Sequence, residues 1–149
     1  DDGTAPPLPG VGMSRVEPVA ALLVDDSSQQ RLGWRMILEA HPDIEVVAEA
    51  PDGARALALA RRMPLDVVVM DVRMPRVGGL TAAERIRADK QVREQGGPPG
   101  IVLMTALDLE DFVGPSAEVG ADALLYKDVE PEALLAAVLA AATTGRAHA

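Results

Sequence analysis

The run VVVMDVRMPRVGGL, Val67 to Leu80, decides the fold. Its first four residues are apolar at every position, without the alternation of a half-wet strand, so they read as a strand covered on both faces. Asp71 follows at once, and Pro75 and Gly79 then turn the chain before a helical stretch that opens at Thr81. A strand buried on both sides belongs in a parallel sheet sandwiched between helices.

The same unit recurs on either side of this run. Strands are expected at Ala20 to Val24, Ile44 to Ala50, Val67 to Met70, Ile101 to Met104 and Ala123 to Tyr126. Helices are expected at Ser28 to Ala40, Gly53 to Arg62, Thr81 to about Gln91, Glu110 to Val119 and Glu132 to Thr143. Asp52 reads as an N-cap, Thr81 with Glu84 as a capping box, and Pro131 as a first-turn residue. His41-Pro42 and Gly145 read as stops. Right-handed crossovers turn these units into an α/β fold, a doubly wound five-stranded parallel sheet flanked by five helices, with its working crevice at the carboxyl ends of the strands.

Composition narrows the function. The chain has 149 residues, 48% hydrophobic and 2% aromatic, with no cysteine and a formal charge of −9. Disulfide scaffolds and cysteine-ligated zinc or iron–sulfur sites are excluded. No apolar run approaches the roughly 20 residues that span a bilayer, and no secretory leader is recognisable, so a soluble cytoplasmic protein with no membrane partner is expected. The acidic balance makes the chain itself a poor nucleic-acid binder. Residues 1–18, rich in Pro and Gly, read as a flexible tail, in part a tag; 19–144 read as one domain; 145–149 read as a C-terminal tail or the start of a linker. Met36, Met63, Met70 and Met104 read as core fillers.

Polar residues collect at the expected strand ends: Asp25 and Asp26 after the first, Asp71 after the third, Thr105 after the fourth and Lys127 after the fifth. Taken singly, each Asp has a plainer explanation as a helix cap or loop residue. Four strand ends carrying such groups together point to one site. Carboxylates gathered there repel by about 4 kcal/mol per pair at ~4 Å and an effective dielectric near 20. A hard divalent cation, Mg2+ or Mn2+, relieves that repulsion and suits all-oxygen ligands. Such a site favours phosphoryl chemistry, with a carboxylate able to act as a covalent nucleophile.

LLVDDS (22–27), VVVMDVRMPRVGGL (67–80), LMTA (103–106) and GADALLYKD (120–128) together resemble the receiver domain of bacterial two-component response regulators. The resemblance implies a flavodoxin-like, chemotaxis-receiver-like sheet of strand order 2-1-3-4-5, and covers about residues 19–144. It implies that Asp71 is the phosphoacceptor, that Asp25, Asp26, Asp71 and the backbone carbonyl of Arg73 hold Mg2+ (or Mn2+), and that Thr105 and Lys127 meet the phosphoryl group. The interval from Asp71 to Thr105 is slightly long for the family, the excess lying between Gln91 and Gly100. The segment QQRLGWRMILEAHPDIEVVAEAPDGARAL (29–57) resembles the LuxR/NarL-type regulators, which join a receiver to a helix-turn-helix domain. That implies a sensor histidine kinase as phosphodonor, a homodimer on phosphorylation, and DNA binding only through an output domain that this sequence does not contain. It further implies a signalling switch that catalyses only its own phosphorylation and dephosphorylation.

Two positions depart from the family pattern. Leu124 stands where the family's switching aromatic is expected, with Tyr126 two residues on and on the same strand face. Gly114-Pro115 falls inside the expected fourth helix, where an interior proline costs about 3 kcal/mol. Two other functions compete with a phosphorylated switch. One is a stand-alone or atypical receiver that works as a phosphorylation-independent interaction module. The other is a haloacid-dehalogenase-type phosphatase, which needs a DxD-type first strand where this chain has Asp25-Asp26-Ser27.

Overall fold

The computed structural model describes residues 17–106 and 121–147. The expected helix at 110–119, Phe112, Pro115 and most of the tail at 1–18 lie outside the described residues.

Five strands, β1 (Val19–Val24), β2 (Ile44–Ala50), β3 (Val67–Asp71), β4 (Gly100–Thr105) and β5 (Ala123–Tyr126), pair all in parallel in the order β2-β1-β3-β4-β5. Every residue of β3 and β4 is buried, as their unbroken apolar runs require. One face packs Leu22, Val24, Val68, Met70, Ile101 and Leu103 beneath helices α2 (Gly53–Ala60) and α3 (Gly79–Ala88). The other packs Leu23, Val67, Val69, Val102 and Met104 against Trp34 and Leu38 of α1 (Ser28–Glu39) and Leu134 and Val138 of the C-terminal helix.

The helix expected from Thr81 to Gln91 is two helices. Asp89 adopts an extended conformation (φ −78°, ψ 127°) between α3 and a short α4 (Lys90–Glu94), and its carboxylate accepts from Val92 N at 3.0 Å. Aspartate takes the free amides of a new first turn more readily than it continues a helix. The start of this short helix is held by the Arg61–Asp89 ion pair at 2.6 Å. The Thr81 capping box does not form: α3 begins at Gly79, with Gly78 as N-cap and no side-chain cap. Asp52 does cap α2, accepting from Arg55 N at 2.9 Å.

The C-terminal helix, α5 (Pro131–Ala147), runs through Gly145 instead of stopping there. Gly145 serves packing: a Cβ on it would stand 2.2 Å from Gly100 N, so the bare backbones of α5 and β4 meet. Met36 is also reassigned. Met70 and Met104 are buried core fillers, but Met36 is 67% exposed, because Trp34 and Leu38 define the buried face of α1 and Met36 falls between them on the outer side.

A candidate phosphoryl and divalent-metal site

The carboxyl ends of β1, β3, β4 and β5 converge on one edge. Asp25, which follows β1, is fully buried; Asp71, the last residue of β3, is 5% exposed; Thr105, the last of β4, is 1% exposed. Asp26 is exposed beside them, and one carboxylate oxygen from each of Asp25, Asp26 and Asp71 lies within 4.8 Å of the others. Lys127 follows β5, and its amide donates to the Thr105 carbonyl oxygen at 2.8 Å, which sets its side chain over the site. Lys127 Nζ stands 3.0 Å from Asp25 Oδ2 and 3.2 Å from Asp71 Oδ2. Asp25 Oδ2 is buried and meets the Lys127 ammonium as an ion pair, with no further partner among the described residues. Asp25 Oδ1 accepts from Ser27 N at 2.8 Å, and Asp71 Oδ1 from Arg73 N at 3.3 Å. Thr105, Ala106, Tyr126, Lys127 and Asp128 line the open cleft beside the acids.

Chain direction explains this gathering. In an all-parallel sheet every strand ends at the same edge, and the turns into the following helices must be polar. Acids stand at the opposite edge too, the buried Asp66 and the half-buried Asp122, but backbone amides engage them there. Asp66 Oδ2 accepts from Ala20 N at 2.8 Å and Asp122 Oδ2 from Ile101 N at 2.7 Å. Among the described residues, several acids and a lysine face one another at the carboxyl edge alone.

Burial raises the Asp71 carboxyl above its ordinary value; the Lys127 charge opposes this and the Asp25 charge adds to it. Burial alone would lower Lys127, but close contact with Asp25 and the charges of Asp71 and Asp25 outweigh it and hold the ammonium above its usual value. An acid raised in the fold disfavours its charged form, so stability falls as pH climbs from the ordinary carboxyl value through the folded one. Asp71→Asn is therefore expected to raise the melting temperature of the metal-free chain at pH 7 by a few degrees, on the order of 1 kcal/mol. The gain should vanish near pH 3. Thermal melts in a chelator check it, and a lower melting temperature at pH 7 contradicts it.

Tyr126 shares a strand face with Leu124, as its parity requires, but it pairs in register with Thr105 and is 39% exposed, whereas Leu124 packs partly buried against the core under α2 and α3. Sequence reasoning did not single out two residues behind the site. The Arg31 guanidinium donates through Nη1 to the Asp25 carbonyl oxygen and through Nε to Glu49 Oε1 at 2.8 Å. The signal for Arg31 was its place one turn into the helix that follows the acid pair. Glu49 gave none, because strand alternation puts it on the wrong face.

A doubly wound parallel sheet that gathers acids, a threonine and a lysine at its carboxyl edge defines the class of receiver-type signalling domains. The chain belongs to the response regulator receiver domain family, whose model matches residues 21–139. It is 38% identical over 130 residues to the nitrate/nitrite response regulator protein NarP of Escherichia coli K12, covering 87% of this chain and 58% of that protein. It is 35% identical over 130 residues to NarL of the same organism, covering 87% and 57%. A crystal structure of a LuxR-family two-component response regulator from Aurantimonas sp. SI85-9A1 superposes with a TM-score of 0.74 at 32% identity, covering 87% of this chain and 89% of that one. The chain spans about half the length of the curated relatives it matches. No helix among the described residues is long and apolar enough to cross a membrane.

Proposed function

We propose that this chain is the phosphoacceptor unit of a cytoplasmic transcription regulator, the unit expected at residues 19–144 continuing to Ala147 with α5. A sensor histidine kinase supplies the phosphoryl group, and the change in state alters dimerisation and the activity of a fused helix-turn-helix DNA-binding domain. The observation that carries this reading is the juxtaposition of a raised, buried Asp71 with Lys127 at 3.2 Å and with the carboxylates of Asp25 and Asp26.

Asp71 supplies the nucleophile. Its carboxylate oxygen attacks phosphorus, the phosphorus–nitrogen bond of the kinase phosphohistidine breaks, and the imidazole departs as a neutral base after taking a proton. A raised carboxyl is a more basic and more nucleophilic carboxylate. Lys127, held protonated, offsets charge on the phosphoryl oxygens, and the Thr105 hydroxyl stands at the neighbouring strand end to donate to one of them. The donor set fits a divalent cation: three carboxylates whose oxygens lie together, one of them with a buried oxygen that meets only the Lys127 ammonium among the described residues. Asp25, Asp26, Asp71 and the Arg73 carbonyl would hold Mg2+ or Mn2+, which when bound neutralises charge on the incoming phosphoryl group. Hydrolysis of the aspartyl phosphate resets the site, so the domain turns over no substrate but its own phosphoryl group.

The test is incubation with Mg2+ and acetyl phosphate, read by intact mass. One added phosphoryl group is expected on the wild type and none on Asp71→Asn. A wild type that stays unmodified with both acetyl phosphate and a cognate kinase leaves the phosphorylation-independent interaction module as the reading.

A further inference from the structure

The acid pair Asp25-Asp26 is held from behind, on the side away from the cleft. Both main-chain polar groups of Asp25 are engaged there: its amide donates to the Ala50 carbonyl oxygen at 3.1 Å, and its carbonyl accepts from Arg31. Arg31 is itself held by Glu49, whose second oxygen accepts from Arg35 Nε at 2.9 Å, with Arg35 Nη2 at 2.8 Å. Arg35 also reaches Glu39 at 3.3 Å. The hydrogen bond from Arg31 holds the Glu49 carboxyl below its ordinary range against the opposing effect of burial, with Arg35 adding to the shift.

Glu49 reaches α1 through an irregularity in β2. Ala21 pairs with Val46, but Leu22 pairs with Ala48, so one extra residue, Val47, is inserted into the edge strand. Ile44 and Val46 accordingly pack under α1, whereas Ala48 and Ala50 pack on the opposite face. Beyond the bulge Glu49 pairs with Leu23, which belongs to the α1 side. Without it, strict alternation from Val46 would turn Glu49 toward α2 and leave Arg31 unheld.

We propose that Arg31 and Glu49 are positioning residues for the acid pair. Arg31 fixes the plane of the Asp25–Asp26 peptide, and with it the direction in which the Asp26 side chain leaves the main chain; Glu49 fixes the Arg31 fork. The inference rests on reading Asp25, Asp26 and Asp71 as a divalent-cation and phosphoryl site. Arginine suits the task because one planar group meets a carbonyl and a carboxylate together, which a lysine ammonium on a flexible stem does less well. The guanidinium also holds the carbonyl dipole outward, where its negative end does not add to the crowded acids.

The test compares wild type, Arg31→Lys, Glu49→Gln, the double variant and Arg35→Gln by Mn2+ binding, with free Mn2+ counted by electron paramagnetic resonance, and by melting temperature without metal. Loss of a residue that orients a ligand typically weakens metal affinity 10–100-fold. Arg31→Lys and Glu49→Gln should each weaken Mn2+ binding about tenfold, and the double variant by less than the product of the two. Arg35→Gln breaks the outer contacts of the same network without touching Asp25, and should stay within about twofold. If Arg31→Lys binds Mn2+ like wild type, or Arg35→Gln loses as much affinity as Arg31→Lys, the network is a surface brace and the positioning role is overturned. A wild type that binds no Mn2+ instead overturns the reading of the acid cluster as a cation site.

Discussion

Lys127→Met is expected to destabilise the metal-free chain by about 3 kcal/mol at pH 7, the lower end of the usual loss when one partner of a buried ion pair is removed. The lower end applies because the lysine side chain keeps 24% exposure, whereas Asp25 and Asp71 keep 1% and 7%. Of the influences on Asp71, Lys127 is the main one that lowers its carboxyl; burial and the Asp25 charge, both of which raise it, would remain. The penalty therefore belongs to the charged carboxylates. It should be full at neutral pH and fade as pH falls through the raised range in which the folded Asp71 carboxyl takes up its proton, above the ordinary carboxyl value. Millimolar Mg2+ should recover part of it by replacing the lost positive charge. Urea unfolding with chelator and with Mg2+, at pH 7 and pH 4, checks each part. Equal midpoints for wild type and variant at pH 7 would show that Lys127 does not neutralise the acids.

Gly100→Ala should be at least as damaging, for a steric reason. A Cβ on Gly100 would lie 1.9 Å from the Ala141 carbonyl oxygen, and the obstacle is the backbone of α5, with no rotamer to move aside. Inserting a carbon into a packed core commonly costs 1–3 kcal/mol. With backbone on both sides the loss should reach about 3 kcal/mol, or on the order of 10 °C in melting temperature. Gly33 supplies the contrast. It lies within α1 with nothing within 4 Å of an added Cβ, so Gly33→Ala should be neutral or stabilise by up to about 1 kcal/mol through helix propensity. Thermal melts of the two variants separate packing from propensity. A Gly100→Ala variant as stable as wild type would mean that α5 can slide off β4 at little cost.

The strands were legible because β3 and β4 carry unbroken apolar runs, a pattern that a sheet covered on both faces demands. The acids, Thr105 and Lys127 were legible because, in a parallel sheet, strand ends coincide in space. Helix limits were less so. Thr81 with Glu84 satisfies the capping-box pattern, yet Gly79 enters α3 first because only a residue without a side chain fits 2.2 Å from the Asp71 carbonyl oxygen. Gly145 satisfies the stop pattern, yet continues α5 because β4 is pressed against it.

Local chemistry written along the chain was enough for the doubly wound sheet and the edge on which its polar groups collect, while the family entered through the resemblance of the strand-end motifs. Those features depend on period, burial and chain direction, which neighbouring residues express together. The support behind the acid pair depends on register. One inserted residue at Val47 reverses the face of everything after it in β2, so Glu49 meets Arg31 only once β2 has paired with β1. No side chain near Val47 announces that shift. It follows from how an edge strand satisfies its hydrogen bonds to β1 while burying apolar residues on both faces, a compromise that exists only in the assembled sheet.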